Sequence, residues 1–322
     1  MNTQSFIKKL IQDLKDIEER GLEIMPNKTV RGTVSFISGD NLGSHSVGGY
    51  LENFSTSTYF CRYCLITRSE FKEDCLCHAV RRTKENYNNA LENIAASNKS
   101  DYEGIRFDSI FNSLKFFHVT EGLPPCLAHD LWEGFVKFDL AIFINRLVDL
   151  EWFSMDWLNK RMKGFDQYSI EDSRDKPVPF TQINQKKNKG TASEKRVNAG
   201  KKIIINKIGG TASQVKIFLR LLPLFLESKI KDPDDKAWQG ILLLRELCLL
   251  VTAPVIHRKT LPYIESVIAE YLTLRSEESA PMRPKHHYAT HFCEMILEFG
   301  SLVNVWTRAL RTNTLVLKKS QG

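Results

Sequence analysis

Most apolar positions in this chain recur with the period of an α-helix. Residues 4–20 place four of them at helical spacing among charged neighbours: Phe6, Leu10, Leu14 and Ile17. Three later stretches repeat the pattern: 212–230, 236–252 and 260–275. The stretch RPKHHYATHFCEMILEFG predicts a further helix that ends at Gly300. Helix therefore dominates the predicted structure.

Two stretches vary this pattern. The pair Pro124-Pro125 forms a turn that leads into a long apolar helix. The segment KTVRGTVSFISGD is rich in β-branched residues and alternates in part, which predicts a strand from Thr29 to Ser38 with Asp40 at its C-terminal end. Because this is the one clear strand, the chain is predicted to be α+β and predominantly helical.

The composition fits a soluble globular protein and permits a polyanionic partner. The 322 residues are 42% hydrophobic and 26% charged, with a net charge of +7. No stretch approaches eighteen uninterrupted apolar residues, so no membrane span is predicted. The charged, amphipathic N-terminal segment lacks the pattern of a secretory signal.

A basic run lies in the polar region 181–208, which is predicted to be an exposed loop. Its cations face only one acidic residue, Glu194; they are Lys186, Lys187, Lys189, Lys195, Arg196, Lys201, Lys202 and Lys207. Such a run can follow a DNA backbone through phosphate contacts. It contains few aromatic residues, so base stacking is not predicted. A solvated loop that binds nothing explains the run equally well.

The cysteines predict a metal site. There are seven, several of them beside histidines, which favours metal binding or free thiols over disulfides. Cys61 and Cys64 have the two-residue gap that lets both thiolates face one tetrahedral zinc ion. Residues that could complete the site lie close in sequence or far along the chain: Cys75, Cys77 and His78, or His286 and His291. Buried free thiols and ordinary helix histidines are the simpler alternative.

Three further positions have local explanations. Asp40 lies in Gly-Asp-Asn, which is ordinary turn composition. Cys126 and His129 are either a second metal pair or the residues that fix the start of the long apolar helix.

Four stretches resemble the long proteins encoded by eukaryotic cut-and-paste DNA transposons of the DDE/D class: GDNLGSHSVGGYLENFSTSTYFCRYCLITRSEF, LPPCLAHDLWEG, GTASQVKIFLRLLPLF and PKHHYATHFCEMILEFGSLVNVWT. CACTA (Tnp2-like) elements are one possible source. The catalytic subunit of the V(D)J recombinase and its Transib relatives have a similar order of motifs. The resemblance covers most of the chain and implies a partial ribonuclease-H-like core with a large α-helical insertion.

The resemblance also implies roles for five residues. Asp40 matches the second catalytic aspartate of these enzymes. Cys61 and Cys64 match a thiolate pair, and the histidine pair that completes a structural zinc site in such proteins matches His286 and His291. On this basis the distant histidines become the preferred completion of the zinc site.

Two departures from the family pattern predict that the chain does not cut DNA. The first catalytic aspartate should lie on a strand well upstream of Asp40, where this sequence is helical, and the glutamate position falls on Arg311. Active relatives hold two Mg²⁺ ions with three carboxylates, which one aspartate cannot do. Asp40 is therefore expected to be vestigial and Mg²⁺ not to bind.

The Cys126-x-x-His129 stretch matches the family's C/D-x-x-H signature.

Together these expectations describe four segments: a partial ribonuclease-H-like core at 1–57, a cysteine-rich zinc-binding region at 58–100, a helical insertion at 101–280, and a histidine-containing helix with a degenerate catalytic segment at 281–322. The predicted function is residual zinc and DNA binding by an inactive transposon-derived protein, which implies a nuclear location. The alternative is a domesticated zinc-dependent scaffold that binds protein partners without touching DNA. A homo-oligomer is compatible with both.

Overall fold

The computed structural model of the chain describes residues 3–77, 79–165, 175–180, 206–278 and 281–306. In this part of the chain, 56% of the residues are helical and 5% are in strand conformation. Contacts divide the chain into two compact units, of which unit 1 is Met1–Cys126 with His287–Gly322 and unit 2 is Leu127–His286. Unit 2 thus interrupts unit 1 in sequence.

The regular elements in chain order are α1 (Thr3–Glu19), β1 (Leu22–Met25), β2 (Lys28–Val30), α2 (Asn41–Val47), α3 (Arg68–Glu73), α4 (Lys84–Ser97), α5 (Val136–Asp149), α6 (Met155–Lys163), α7 (Ala212–Leu226), α8 (Lys236–Val251), α9 (Leu261–Ser276), α10 (Pro284–Ala289) and α11 (Phe292–Phe299). A π-helix, Ala128–Phe135, precedes α5. No helix among the residues described is long and apolar enough to cross a bilayer.

Unit 1 is built from short, well-capped helices around an aromatic core. The threonines that precede α3 and α4, Thr67 and Thr83, each form a capping box with the residue three positions on, which satisfies helix N-terminal amides locally. One buried cluster forms the core beside these helices: Tyr50, Tyr87, Ala90, Ile105, Leu114, Phe117, Val119 and Leu123. Gly49 has a φ of +72°, and a Cβ there would lie 2.0 Å from the carbonyl oxygen of Phe107, so the core requires glycine at this position.

Unit 2 is a bundle of apolar helices. Helix α8 packs against both α5 and α9, and α7 packs against α6 and α8. The capping box at Thr211 starts α7 and the carboxylate of Asp235 starts α8, so the sequence specifies both starts. Gly134 leaves the helical region at φ −92° and ψ −127°, which marks the change from π-helix to α-helix. The ammonium group of Lys285 donates to the carbonyl oxygen of His129 inside this π-helix, at 2.5 Å.

The structure confirms most of the predicted helices. Helix α1 covers the predicted 4–20, the π-helix with α5 forms the long apolar helix after the two prolines, and α7, α8 and α9 lie within one or a few residues of the three later patterns. The predicted helix before Gly300 is present but divided, since α10 ends at Ala289 and α11 begins at Phe292.

The predicted strand from Thr29 to Ser38 is wrong over most of its length. Only Lys28–Val30 forms a strand, which pairs with β1 as a hairpin whose residues are all exposed. No strand in the described part of the chain lies beside residues 31–40. Instead the amide of Ile37 donates to Gly122 and the Ser38 hydroxyl donates to Val305. The described residues therefore show no ribonuclease-H-like sheet.

Candidate metal centre

The two cysteines of the Cys-x-x-Cys pair lie in a tight loop of unit 1. Cys64 forms an antiparallel bridge with Arg81, and the neighbouring amide of Leu65 donates to the Val80 carbonyl at 2.9 Å. The amide of Tyr63 donates to Sγ of Cys61 at 3.3 Å, a contact that favours thiolate character. Both cysteines are buried, so their sulfur atoms face the interior of unit 1.

Two histidines from the C-terminal part of unit 1 face these sulfur atoms. His287 lies on α10, and its Nε2 is 3.2 Å from Sγ of Cys64. His291 is the residue before α11, and its Nε2 is 3.5 Å from Sγ of Cys61. The two Nε2 atoms are 3.1 Å apart. Four groups that can each offer a lone pair thus converge, and their ligand atoms all lie within 4.8 Å of one another.

Three of the six separations between the ligand atoms are close to the edges of a tetrahedral zinc site. Zinc bonds of about 2.3 Å to sulfur and about 2.05 Å to nitrogen require sulfur–nitrogen distances of about 3.6 Å and a nitrogen–nitrogen distance of about 3.3 Å. The observed values of 3.5, 3.2 and 3.1 Å come within a few tenths of an ångström of them. Two thiolates and two imidazoles are also a donor set that zinc prefers. The residues present therefore fit a zinc ion.

The electrostatics of the four side chains favour a thiolate at one position. Burial by itself raises the pKa of Cys61, but the hydrogen bond with Cys64 and the two histidines lower it well below the ordinary value. The same hydrogen bond and burial raise the pKa of Cys64. Burial alone lowers the pKa of His291, but the adjacent Cys61 thiolate raises it to about 9. These directions favour the thiolate form of Cys61, which is the form in which a cysteine binds a metal.

Aromatic rings enclose the centre on the histidine side. The ring of His287 lies 5.4 Å from that of Phe60 and 5.6 Å from that of Phe71, and the ring of His291 lies 5.1 Å from that of Tyr63. His287 is 1% exposed, and Nδ1 of its ring has no hydrogen-bond partner among the described protein atoms. Four protein side chains would complete the shell of a tetrahedral ion, as they do in structural zinc sites.

The cluster contains His287 where the sequence predicted His286. Nε2 of His286 lies 2.7 Å from the carboxylate of Asp139, and its Nδ1 accepts from the amide of Arg283 at 2.8 Å. A shift of one residue on a helix rotates the side chain by about 100°, so adjacent histidines on α10 cannot face the same point. Sequence reasoning overlooked the four-residue spacing of His287 and His291, which is the spacing that places two side chains on one helical face.

His286 belongs to a buried polar network in unit 2. The carboxylate of Asp139 accepts from Nε of Arg275 at 2.8 Å and from the hydroxyl of Tyr271 at 2.5 Å, as well as from His286. Because Nδ1 of His286 accepts from the Arg283 amide, Nε2 is the ring nitrogen that donates to Asp139. The same carboxylate forms an ion pair with the buried guanidinium of Arg275. Burial alone raises the pKa of Asp139, but His286 and Arg275 lower it below its usual value.

Asp40 begins a helix in the structure. It is exposed, and its Oδ1 accepts from the amide of Gly43 at 2.7 Å, which makes it the N-cap of α2. The interpretation of Asp40 as a local turn residue is closer to this geometry than its role as a metal ligand at a strand end, because no strand leads to it.

Replacing Asp40 by alanine is expected to lower the free energy of unfolding by about 1 kcal/mol, because the amide of Gly43 loses its acceptor. Asp40→Asn, which keeps a capping oxygen but loses the charge, is expected to stay close to the wild type. Urea denaturation of both variants, with zinc content measured in parallel, checks this. A loss of bound metal in either variant would show that the carboxylate is a ligand and not only a cap.

The other predicted site residues lie apart from the cluster or outside the described residues. Cys75 and Cys77 are half-buried and are not part of it. Cys126 is buried at the end of the first segment of unit 1, and Nε2 of His129 lies 3.9 Å from the carboxylate of Glu133 on the π-helix of unit 2. Outside the described residues lie His78 and the predicted DNA-binding cations Lys186, Lys187, Lys189, Lys195, Arg196, Lys201 and Lys202.

Comparison with known proteins identifies no family for this chain. No protein-family model matches the chain, and no curated protein matches it.

Proposed function

We propose that this chain is a zinc-stabilised protein descended from a DDE/D DNA transposase, and that it binds DNA without cutting it. The observation that carries the zinc part is the convergence of Cys61, Cys64, His287 and His291, whose ligand atoms all lie within 4.8 Å of one another. The descent and the DNA binding rest on the order of sequence motifs.

Zinc would connect two parts of unit 1 that are distant in sequence. The contacts between the cysteines and the histidines join residues 223 and 230 positions apart. The unfolded chain lacks this arrangement, so metal binding contributes to folding, by about 10–16 kcal/mol in small zinc domains. The aromatic rings of Phe60, Phe71 and Tyr63 exclude water from the centre. These residues bind and hold the metal.

The proposed descent follows from the arrangement of the ligands along the chain. A Cys-x-x-Cys pair lies 21 residues after Asp40 and a histidine pair lies near the C-terminal end, which is the order that the resembling transposases have. We include in the proposal that unit 1 derives from a ribonuclease-H-like core. The described residues of unit 1 contain one two-stranded sheet, so this part rests on the motifs alone.

The absence of DNA cleavage is proposed on chemical grounds. Two-metal strand transfer needs several carboxylates that hold two Mg²⁺ ions about 4 Å apart. Asp40 is one carboxylate, and it already accepts a backbone hydrogen bond at the start of α2. The glutamate position of the resembling enzymes falls on Arg311, whose positive charge opposes a dication.

DNA binding is expected to depend steeply on salt and on the basic run. We expect Lys186→Ala with Lys187→Ala to weaken binding and to reduce the slope of log K against log[salt] by about one per lost phosphate contact. A matched control is Lys8→Ala with Lys9→Ala, two exposed lysines on α1, which should leave the slope unchanged. Fluorescence anisotropy with a labelled duplex across a salt series measures both.

The same salt titration distinguishes the DNA-binding function from the alternative, a scaffold that binds protein partners. A zinc-dependent scaffold that binds protein partners would show no DNA binding at low salt, while its zinc content would be unchanged. A nuclear location follows from the DNA-binding proposal and would lose its basis with that result.

A further inference from the structure

Arg81 is fixed to the cysteine side of the metal centre by its backbone. It forms the antiparallel bridge with Cys64, and the amide of Arg82 donates to the carbonyl of Tyr63 at 2.8 Å. The position of its side chain is therefore set relative to the two sulfur atoms.

The side chain of Arg81 pairs with the helix that carries the histidine side. Its two terminal nitrogens contact Glu294 and Glu298, which lie one turn apart on α11. His291 is the residue that precedes the first turn of the same helix. The guanidinium of Arg81 thus joins the loop that contains the two cysteines to α11, the helix that follows His291.

Glu294 differs from Glu298 in having a second contact. While Oε1 of Glu294 faces Arg81, its Oε2 lies 3.8 Å from Nδ1 of His291. The other ring nitrogen of His291, Nε2, faces Sγ of Cys61. Within the described residues, Glu298 has its ion pair with Arg81 and no ion pair with a histidine.

We propose that Glu294 and Arg81 are positioning residues of the metal centre. The negative charge of Glu294, 3.8 Å from Nδ1 of His291, favours the tautomer with the proton on Nδ1, which leaves the Nε2 lone pair for the metal. Arg81 in turn fixes Glu294. Histidine ligands commonly have such an outer carboxylate, whose loss costs about 10–100-fold in metal affinity. This inference rests on the proposed zinc site.

The test compares Glu294→Gln with Glu298→Gln in the full chain. Each variant removes one anionic partner of Arg81, and the two side chains are similarly exposed, at 41% and 32%. We expect zinc affinity, measured by competition with a chromophoric chelator, to fall about 10–100-fold in Glu294→Gln. Glu298→Gln should stay close to the wild type.

Two further readouts separate positioning from general stability. Thermal unfolding of the metal-free protein should change little in both variants, because the ion pairs that they lose are partly exposed. The visible spectrum of the Co²⁺-substituted protein should change in Glu294→Gln only. Equal zinc affinities in the two variants, with a normal wild-type site, would overturn the positioning role alone. A wild-type protein that takes up no zinc would instead overturn the proposed function.

Discussion

Replacing His287 by alanine is expected to abolish zinc binding, whereas replacing the adjacent His286 by alanine is expected to retain it. Nε2 of His287 lies 3.2 Å from Sγ of Cys64, while Nε2 of His286 lies 2.7 Å from Asp139. Loss of one of four ligands removes most of a binding free energy that is about 10–16 kcal/mol in zinc domains. Elemental analysis of the purified variants measures the outcome.

The control for this prediction is the wild-type protein treated with a strong chelator. It should show the same fall in the unfolding temperature as His287→Ala, because both lose the metal and neither alters unit 2. His286→Ala should lower stability with zinc still bound, since Asp139 loses a buried partner. If His286→Ala lost the metal and His287→Ala kept it, the ligand set expected from the sequence would be correct after all.

The second large effect is expected at Asp139. Asp139→Asn removes the negative charge that balances the guanidinium of Arg275, and both side chains are at most 1% exposed. Breaking a buried ion pair by removing one partner costs about 3–5 kcal/mol, because the other charge stays buried after it loses that partner. Denaturant unfolding measures this cost. Glu277→Gln is a matched control, because it breaks the exposed pair with Lys236 and should cost less than about 1 kcal/mol.

The difference in unfolding free energy between the wild type and Asp139→Asn should depend on pH with a definite sign. The folded-state pKa of Asp139 is lowered relative to its unfolded value, so the carboxylate contributes its full stability above the unfolded pKa of about 3.9. That contribution is lost as the pH falls through the folded-state pKa, where the native protein also takes up the proton. The gap in unfolding free energy between wild type and Asp139→Asn should therefore narrow in acid. A gap that stays constant down to the acid transition would contradict the assignment of an ionised Asp139.

Local patterns were sufficient to predict several of the longer helices and the two cysteines of the candidate metal cluster. Helical spacing predicted α1 and the three helices of unit 2 from α7 to α9 because each has a continuous apolar face. The two-residue gap predicted Cys61 and Cys64 because it is a property of the loop itself. These features depend on neighbours within a few residues.

The errors came from contacts between distant residues. The alternation in residues 29–38 predicted a strand, but a strand needs a partner, and no partner lies beside residues 31–40 in the described structure. The choice between His286 and His287 was decided by Asp139, which lies 147 residues before His286. In the sequence, Asp139 lies within the long apolar stretch that follows the two prolines, and no local pattern connects it to His286. The motif resemblance pointed to His286 and His291, of which His291 lies in the cluster and His286 does not.

The most direct test is the zinc coordination of the purified chain. X-ray absorption at the zinc edge, together with elemental analysis, reports both the amount of metal and its ligands. We expect one zinc ion per chain, with two sulfur ligands at about 2.3 Å and two nitrogen ligands at about 2.0–2.1 Å. A protein that folds without bound zinc, or a zinc ion surrounded only by nitrogen and oxygen, would contradict this expectation.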